Sequence, residues 1–389
     1  MTKLLVRLFV KDYTQVHDQT VRRRYGMLGG SVGIVLNFLL FCFKVLSGLA
    51  SASISMIADA VNNLSDAGSS IITLIGFKMS GKPADREHPF GHGRIEYISA
   101  LLVAVVILLM GIELIRTSID KIVSAEPAVF TPISVLILSL SILIKVWMYY
   151  FNRKISKTIQ SQSTAAAAKD SLSDAAATSA VLVGVIVCSL TGYSIDGYIG
   201  LLVAAFILFT GYTTVKDALS PLLGQPASLE LVSQIESMVL SHDEIVGMHD
   251  LIIHNYGPGR FMLSLHAEVP SDGDILKLHD TIDLIEKDLQ SKFGCDAVIH
   301  MDPIETDNET INQARAAVRD MIYQLDPALS MHDFRMVTGP THTNLIFDLV
   351  VPYNYRMSDR ELTALLSEKI AEIDSRFYAV IHIDKSYVE

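Results

Sequence analysis

Cysteine is scarce in this chain. Its 389 residues hold three, Cys42, Cys188 and Cys295, and none belongs to a CxxC pair. That excludes a disulfide framework and a thiolate metal cage; the three read as small buried hydrophobes, two of them inside apolar runs. Charge is scarce as well: 19% of residues are charged against 50% hydrophobic, with a mean hydropathy of +0.38. A soluble protein of this length is normally less apolar, so spanning segments are expected. The opening residues show no short apolar run followed by a cleavage site, and no removable signal peptide is expected. Basic residues are short where nucleic acid would need them. Residues 227–389 carry 12 Lys and Arg against 28 Asp and Glu, a balance of −16, whereas residues 1–226 carry 19 against 14, a balance of +5. An acidic soluble half argues against nucleic-acid binding and suits cations.

What is present is a set of six long apolar stretches, near 28–50, 54–80, 97–121, 130–153, 164–191 and 196–218. Each offers about 20 residues or more, enough to cross a lipid bilayer's hydrocarbon core of ~30 Å. Arg22, Arg23 and Arg24 precede the first stretch. Lys78, Lys82, Arg86 and Arg94 join the second to the third, and Arg153, Lys154 and Lys157 the fourth to the fifth. The links around 51–53, 124–129 and 192–196 hold no Lys or Arg. The positive-inside rule then expects a multi-pass cell-membrane protein with both termini in the cytoplasm. Residues 1–27 form a weakly amphipathic cytoplasmic segment and 28–220 the six-helix domain. Lys44 and Lys145 fall within spans, where they read as snorkelling side chains or as partners of a neighbouring helix.

The second half is a tandem repeat. Residues 221–303 read helix (228–241), strand (245–255), strand (260–270), helix (274–293), strand (296–301), with Gly257-Pro258-Gly259 marking a hairpin. Met248-His249-Asp250-Leu251 then recurs as Met331-His332-Asp333-Phe334, Gly257-Pro258 as Gly339-Pro340, and Ala297–Asp302 as Ala379–Asp384, always at an offset of 82 or 83. The chain is therefore expected to be an α-helical membrane protein with C-terminal cytoplasmic α+β domains in tandem, 221–303 and 310–389.

Ionisable residues inside spans are costly and point to function. Span two carries Asn62 and Asp66, span five Asp170 and Asp174; each pair is four apart and shares a helix face. At ~1.5 Å per residue, Asp174 lies roughly 15 Å from the cytoplasmic start of its span and Asn62 roughly 12 Å from the outer start of its own, so the depths coincide. Three carboxylates cannot all stay charged and dry in lipid. A divalent cation relieves them, and protons can take its place when it leaves. Asp59 shares the face one turn outward.

At these residues the chain resembles the cation diffusion facilitator family, secondary exporters of divalent metals, over residues 10–302. The resemblance rests on both four-apart pairs, the loop Asp85-Arg86-Glu87-His88-Pro89-Phe90-Gly91-His92-Gly93, and the pattern from His249-Asp250 to His300-Met301-Asp302. It implies a homodimer working as a metal/proton antiporter, with soluble domains of ferredoxin-like, metallochaperone-like fold. Zinc-moving members place His or Asp at the position of Asn62 and usually His at that of Asp170. The all-oxygen set here resembles the bacterial manganese-exporting branch, since hard ions such as Mn²⁺ favour carboxylate and carbonyl oxygen while Zn²⁺ favours His and Cys. Zn²⁺, Fe²⁺ or Co²⁺ export is the alternative, and a membrane-anchored sensor without transport the more distant one.

The resemblance also implies a loop metal site at Asp85, His88 and His92, and a cytoplasmic site at His249, His266, His279, His300 and Asp302. The second-repeat equivalents are His332, Asp348, Glu361, His382 and Asp384. No nucleotide is expected: the run Gly76–Pro83 nearly matches a P-loop, but Pro83 stands where Mg²⁺ needs Ser or Thr, and the run ends a helix rather than following a strand. No acid–base pair in a substrate pocket is legible, so an enzyme is not expected. If Asn62 sets the metal preference, Asn62→His or Asn62→Asp shifts transport toward Zn²⁺ in a metal-by-metal liposome flux comparison; an unchanged preference removes Asn62 from that role.

Overall fold

The computed structural model describes residues 2–16, 18–50, 54–124, 132–191 and 196–385. The three links that lack Lys and Arg fall almost wholly outside these residues. The chain divides into two compact units, Met1–Gln225 with Asn255–Arg260, and Pro226–His254 with Phe261–Glu389.

The first unit is helical: α1 (Thr2–Phe9), α2 (Gln19–Ala50), α3 (Ile54–Ser80), α4 (Ile95–Ser124), α5 (Pro132–Ile159), α6 (Gln162–Thr191) and α7 (Asp196–Leu223). It is a transmembrane domain. Four helices, α2, α4, α5 and α7, are long and apolar enough to span on composition alone. Helices α3 and α6 are equally long but are diluted by Ser, Asn and Asp. Leu39, Leu109, Leu143, Leu202 and Phe209 face outward, as lipid contact requires. Helix α2 begins nine residues before the apolar stretch does, because Asp18 caps it: its Oδ1 accepts from the backbone of Thr20 (2.7 Å) and Val21 (3.0 Å). Arg22 thus becomes helical. It grips Glu96 of α4 with two hydrogen bonds (2.6 and 2.8 Å) and donates to Ile159 O at the end of α5 (2.8 Å). Helix α1 is seated on the bundle, its Val6 and the following Val10 buried with Val21 and Tyr25.

Without a hydrophobic drive between helices in lipid, close approach depends on small residues. Gly111 of α4 faces Leu208 of α7, and Gly211 of α7 faces Leu108 of α4. Gly30 of α2 lies against the backbone of α3: a Cβ there would sit 3.0 Å from Leu74 Cβ and 3.1 Å from its Cα and N.

In the second unit, α8 (Leu229–Val239), β1 (Gly247–Asn255), β2 (Phe261–Pro270), α9 (Ile275–Phe293) and β3 (Asp296–Ile304) form one module. The other comprises α10 (Glu309–Leu325), β4 (Ser330–Thr338), β5 (Thr343–Val351), α11 (Asp359–Ile373) and β6 (Phe377–Lys385). Each has a three-stranded sheet, β1-β2-β3 and β4-β5-β6. The outer pairs β2/β3 and β5/β6 are parallel, and β4/β5 is antiparallel. The period of two buries Leu263, Leu265, Ala267 and Val269 of β2 against the helices, and Leu345, Phe347, Leu349 and Val351 of β5 likewise. The alternate positions of these strands, His266 and Glu268, and Asp348, therefore point to the opposite, open face of each sheet.

Gly30→Val should force α2 off α3. The expected cost is about 1–3 kcal/mol of overpacking, read as a lower melting temperature of the detergent-solubilised protein. Gly68→Ala, where nothing lies within 4 Å of the added Cβ, should not lower it.

Candidate metal centres

Three helices meet at the buried carboxylates. Asp66 of α3 and Asp174 of α6 both hold the ammonium of Lys145 of α5, at 2.6 and 2.5 Å. All three side chains are 3–6% exposed. Asp170, one turn before Asp174, lies within electrostatic reach of both carboxylates and of Lys145. It is buried, and its Oδ1 has no hydrogen-bond partner among the described residues. Lys44 of α2 is buried and within reach of Asp66 as well. Among the described residues three carboxylates outnumber two lysines here, an excess of buried negative charge that further positive charge would offset.

The antiparallel pairing of α3 and α6 thus brings together Asp66, Asp170 and Asp174. It does not enclose Asn62, which is exposed; the neighbouring Asn63 is the buried amide, with its Nδ2 unpartnered. The Asp59 side chain lies outside the described residues. Lys145 does not snorkel: it takes the place of a cation between two of the expected ligands. Its depth was the available signal, about 12 Å from the cytoplasmic end of span four at ~1.5 Å per residue, close to that of Asp174.

In the segment between α3 and α4, Asp85, His88 and His92 come together, with ligand atoms within 4.8 Å of one another. His88 Nδ1 and His92 Nε2 each lie 3.4 Å from an Asp85 oxygen. The rings of the two histidines are 4.5 Å apart. Asp85 also makes the turn, its Oδ1 accepting from the backbone of His88 (2.8 Å) and Glu87 (3.1 Å). The His88 N–H is the main reason its carboxyl sits below the usual range, with the imidazoles adding to it. A lowered folded value means that this contribution is complete at neutral pH and is lost as pH falls through that value.

On the open face of the first sheet, Asp302 gathers the histidines. His266 Nδ1 is 2.8 Å from its Oδ2, His249 Nε2 3.2 Å from the same oxygen, and His300 Nε2 3.3 Å from Oδ1. Register explains this, since His266 pairs with His300 and Glu268 with Asp302 across β2/β3. Burial holds back the His249 imidazolium, but Glu268, Asp250 and Asp302 outweigh it and raise its pKa. His279 is not part of the group: it lies on exposed α9, its nearest carboxylate being Asp283 of its own helix at 3.9 Å. Its second-repeat counterpart, Glu361, has a different task. It completes a capping box with Ser358 at the start of α11.

A profile of the cation efflux transmembrane domain matches residues 31–223, and one for the cytoplasmic domain of cation efflux proteins matches residues 227–304. Neither reaches the second module. An uncharacterized transporter of Methanocaldococcus jannaschii is 30% identical over 275 residues, which is 70% of this chain and 97% of the relative. The cation-efflux pump FieF of Escherichia coli is 27% identical over 287 residues, 73% of this chain and 95% of the pump. FieF of Shigella boydii is 26% identical over the same length.

Asp85→Asn separates the loop's two roles. Asn keeps the acceptor for the turn but loses the charge, so Co²⁺ held between His88 and His92 should weaken about tenfold, ~1.4 kcal/mol, while the turn survives. Asp85→Ala should lose both. Equal Co²⁺ affinity in wild type and Asp85→Asn rules out a carboxylate ligand there.

Proposed function

The chain belongs to the cation efflux family, and from that premise we propose that it exports Mn²⁺ from the cytoplasm in exchange for protons, as a homodimer with both termini cytoplasmic. The observation that carries this reading is the dry cluster of Asp66, Asp170 and Asp174 around Lys145. Family membership supplies metal cation efflux through the membrane. The cluster bears on the cargo: its buried ligands are carboxylates, with the amide of Asn63 buried on the same helix as Asp66 and no imidazole or thiol among the described neighbours, a donor set for a hard divalent ion. The match to the cytoplasmic domain of cation efflux proteins supports pairing of subunits.

This chain's groups then divide the work. The carboxylates bind the ion from one side of the membrane. Lys145 is a tethered cation that keeps Asp66 and Asp174 together when the metal is absent and yields one or both when it arrives. Asp170, with a free carboxylate oxygen, is the first ligand available to an incoming ion. Release to the far side is completed when protons, or the returning ammonium, neutralise the carboxylates. Alternating exposure of one buried site fits a helix bundle in which α2 meets α3, and α4 meets α7, over glycine.

The test is Mn²⁺ flux into proteoliposomes under an imposed pH gradient. Asp66→Ala and Asp174→Ala should each reduce flux to background; flux surviving in either variant sinks the assignment. A sensor would bind Mn²⁺ without any flux. Lys145→Met removes the internal competitor, so the half-saturating Mn²⁺ concentration should fall several-fold, because the binding-competent state is no longer a minor fraction. Turnover should fall too, since nothing tethered displaces the ion.

A further inference from the structure

The second module lies beyond both matched profiles, yet it keeps a ligand-bearing face, and that face meets the first module's. His382 Nδ1 lies 3.2 Å from Asp384 Oδ1, and His332 Nε2 3.4 Å from Asp384 Oδ2. Strand register places these groups: Asp348 pairs with His382 across β5/β6, and His332 with Asp348 across β4/β5. At the junction of the modules the His332 ring stacks on that of His249, 4.3 Å between centroids and 20° between planes. Asp250 reaches across, its Oδ1 lying 3.8 Å from His332 Nε2.

Two features make this a site rather than a chance grouping of side chains. The first is a buried imidazole turned toward carboxylates. His332 is only 10% exposed, and its Nδ1 has no hydrogen-bond partner among the described residues, so the polar contacts of the ring all run through Nε2. Its Nε2 is aimed at two carboxylates, Asp250 and Asp384, whose oxygens fall with it inside a 4.8 Å circle. The distances to both, 3.4 and 3.8 Å, are too long for good hydrogen bonds. A metal with bonds of ~2.0–2.2 Å holds its ligand atoms about 3–3.5 Å apart, so the Asp384 separation already matches a shared ion and the Asp250 separation has only a few tenths of an ångström to close. The second feature is the backbone. Asp250 and its repeat counterpart Asp333 both have positive φ, 52° and 51°. In β4 this coincides with a break in register between His332 and Arg335. A residue in the left-handed region re-aims its side chain relative to the flanking strand, which is what allows Asp250 to face the other module.

We propose that Asp250 of the first module and His332 and Asp384 of the second hold a divalent transition-metal ion at the junction, a composite site that neither module contains alone. One imidazole and two carboxylates suit a borderline ion such as Zn²⁺, Fe²⁺, Co²⁺ or Mn²⁺. Because the ligands come from both modules, loading the site clamps them together, and its occupancy follows the concentration of the metal ion around the soluble half. The stacked His249 connects the junction to Asp302, so loading here and at the first module's His266–Asp302 group are coupled. The site stands on the second unit's own geometry and does not depend on the transport reading.

The test is Co²⁺ binding to the full-length protein in detergent, followed by visible absorption and by metal counted after equilibrium dialysis. Wild type should bind one more ion per chain than His332→Gln. Asp384→Asn, which removes a partly exposed charge, should lose the same equivalent and guards against a folding defect at buried His332. Asp250→Asn should weaken that equivalent at least tenfold, although it lies in the other module. Unchanged stoichiometry in Asp384→Asn overturns the site. Full affinity in Asp250→Asn overturns its composite nature and leaves a site of the second module alone.

Discussion

Three carboxylates buried among apolar helices set the terms for the membrane half of this protein. Each ionised group taken from water costs several kcal/mol unless it finds a partner, and Asp66, Asp170 and Asp174 have too few. Lys145 compensates part of that, drawn from a third helix, and Lys44 part from a fourth. The consequence is that α2, α3, α5 and α6 are tied to one point by charge, not merely by packing. Away from that point small residues set the helix spacing: α2 approaches α3, and α4 approaches α7, over glycine. At the end of the bundle, the Arg22–Glu96 pair, with its bond to Ile159 O, fixes α2, α4 and α5 to each other. The membrane unit thus combines two electrostatic anchors with close, glycine-mediated helix contacts.

The same economy explains why Lys145 matters. An acidic cluster without a resident cation would leave its charges uncompensated. An ammonium on a flexible stem keeps Asp66 and Asp174 gathered. Under the proposed transport it would yield to the metal and return without crossing the membrane. Charge balance and conformational freedom are therefore both served by one side chain on α5.

Much of this was legible in the sequence, and the parts that were not share a cause. Apolar length and basic flanks are properties of single segments, so the helices could be read directly; their ends could not, because the Asp18 cap that carries α2 back to Gln19 is a local hydrogen bond rather than a hydropathy signal. The four-apart pairs pointed to the facing carboxylates because helix geometry is regular. Which amide is enclosed depends on helix rotation: one residue turns the helix by about 100°, enough to separate exposed Asn62 from buried Asn63. Lys145 required knowing that α5 packs on α6, a tertiary fact. His279 matched by position but lies on the exposed side of α9, whereas His249, His266, His300 and Asp302 were bound to meet once strand register was set.

The repeat shows how that open face has diverged. Where the first module has Glu268 near His249, the second has Val350, and where it has His266 the second has Asp348. A simple duplicate would present two equal clusters. Instead the first module keeps the imidazoles and a surplus carboxylate, and the second trades imidazole for acid. The remaining imidazole at the junction, His332, faces Asp250 of the other module with one nitrogen unpaired. Unequal copies that complete each other gain something identical copies on separate chains cannot. Their effective concentration is fixed by the short linker at 305–308, so the junction forms at any protein concentration. Under the proposed composite site its state would then follow the metal and not the abundance of the protein, which is the property a metal-responsive element in this unit requires.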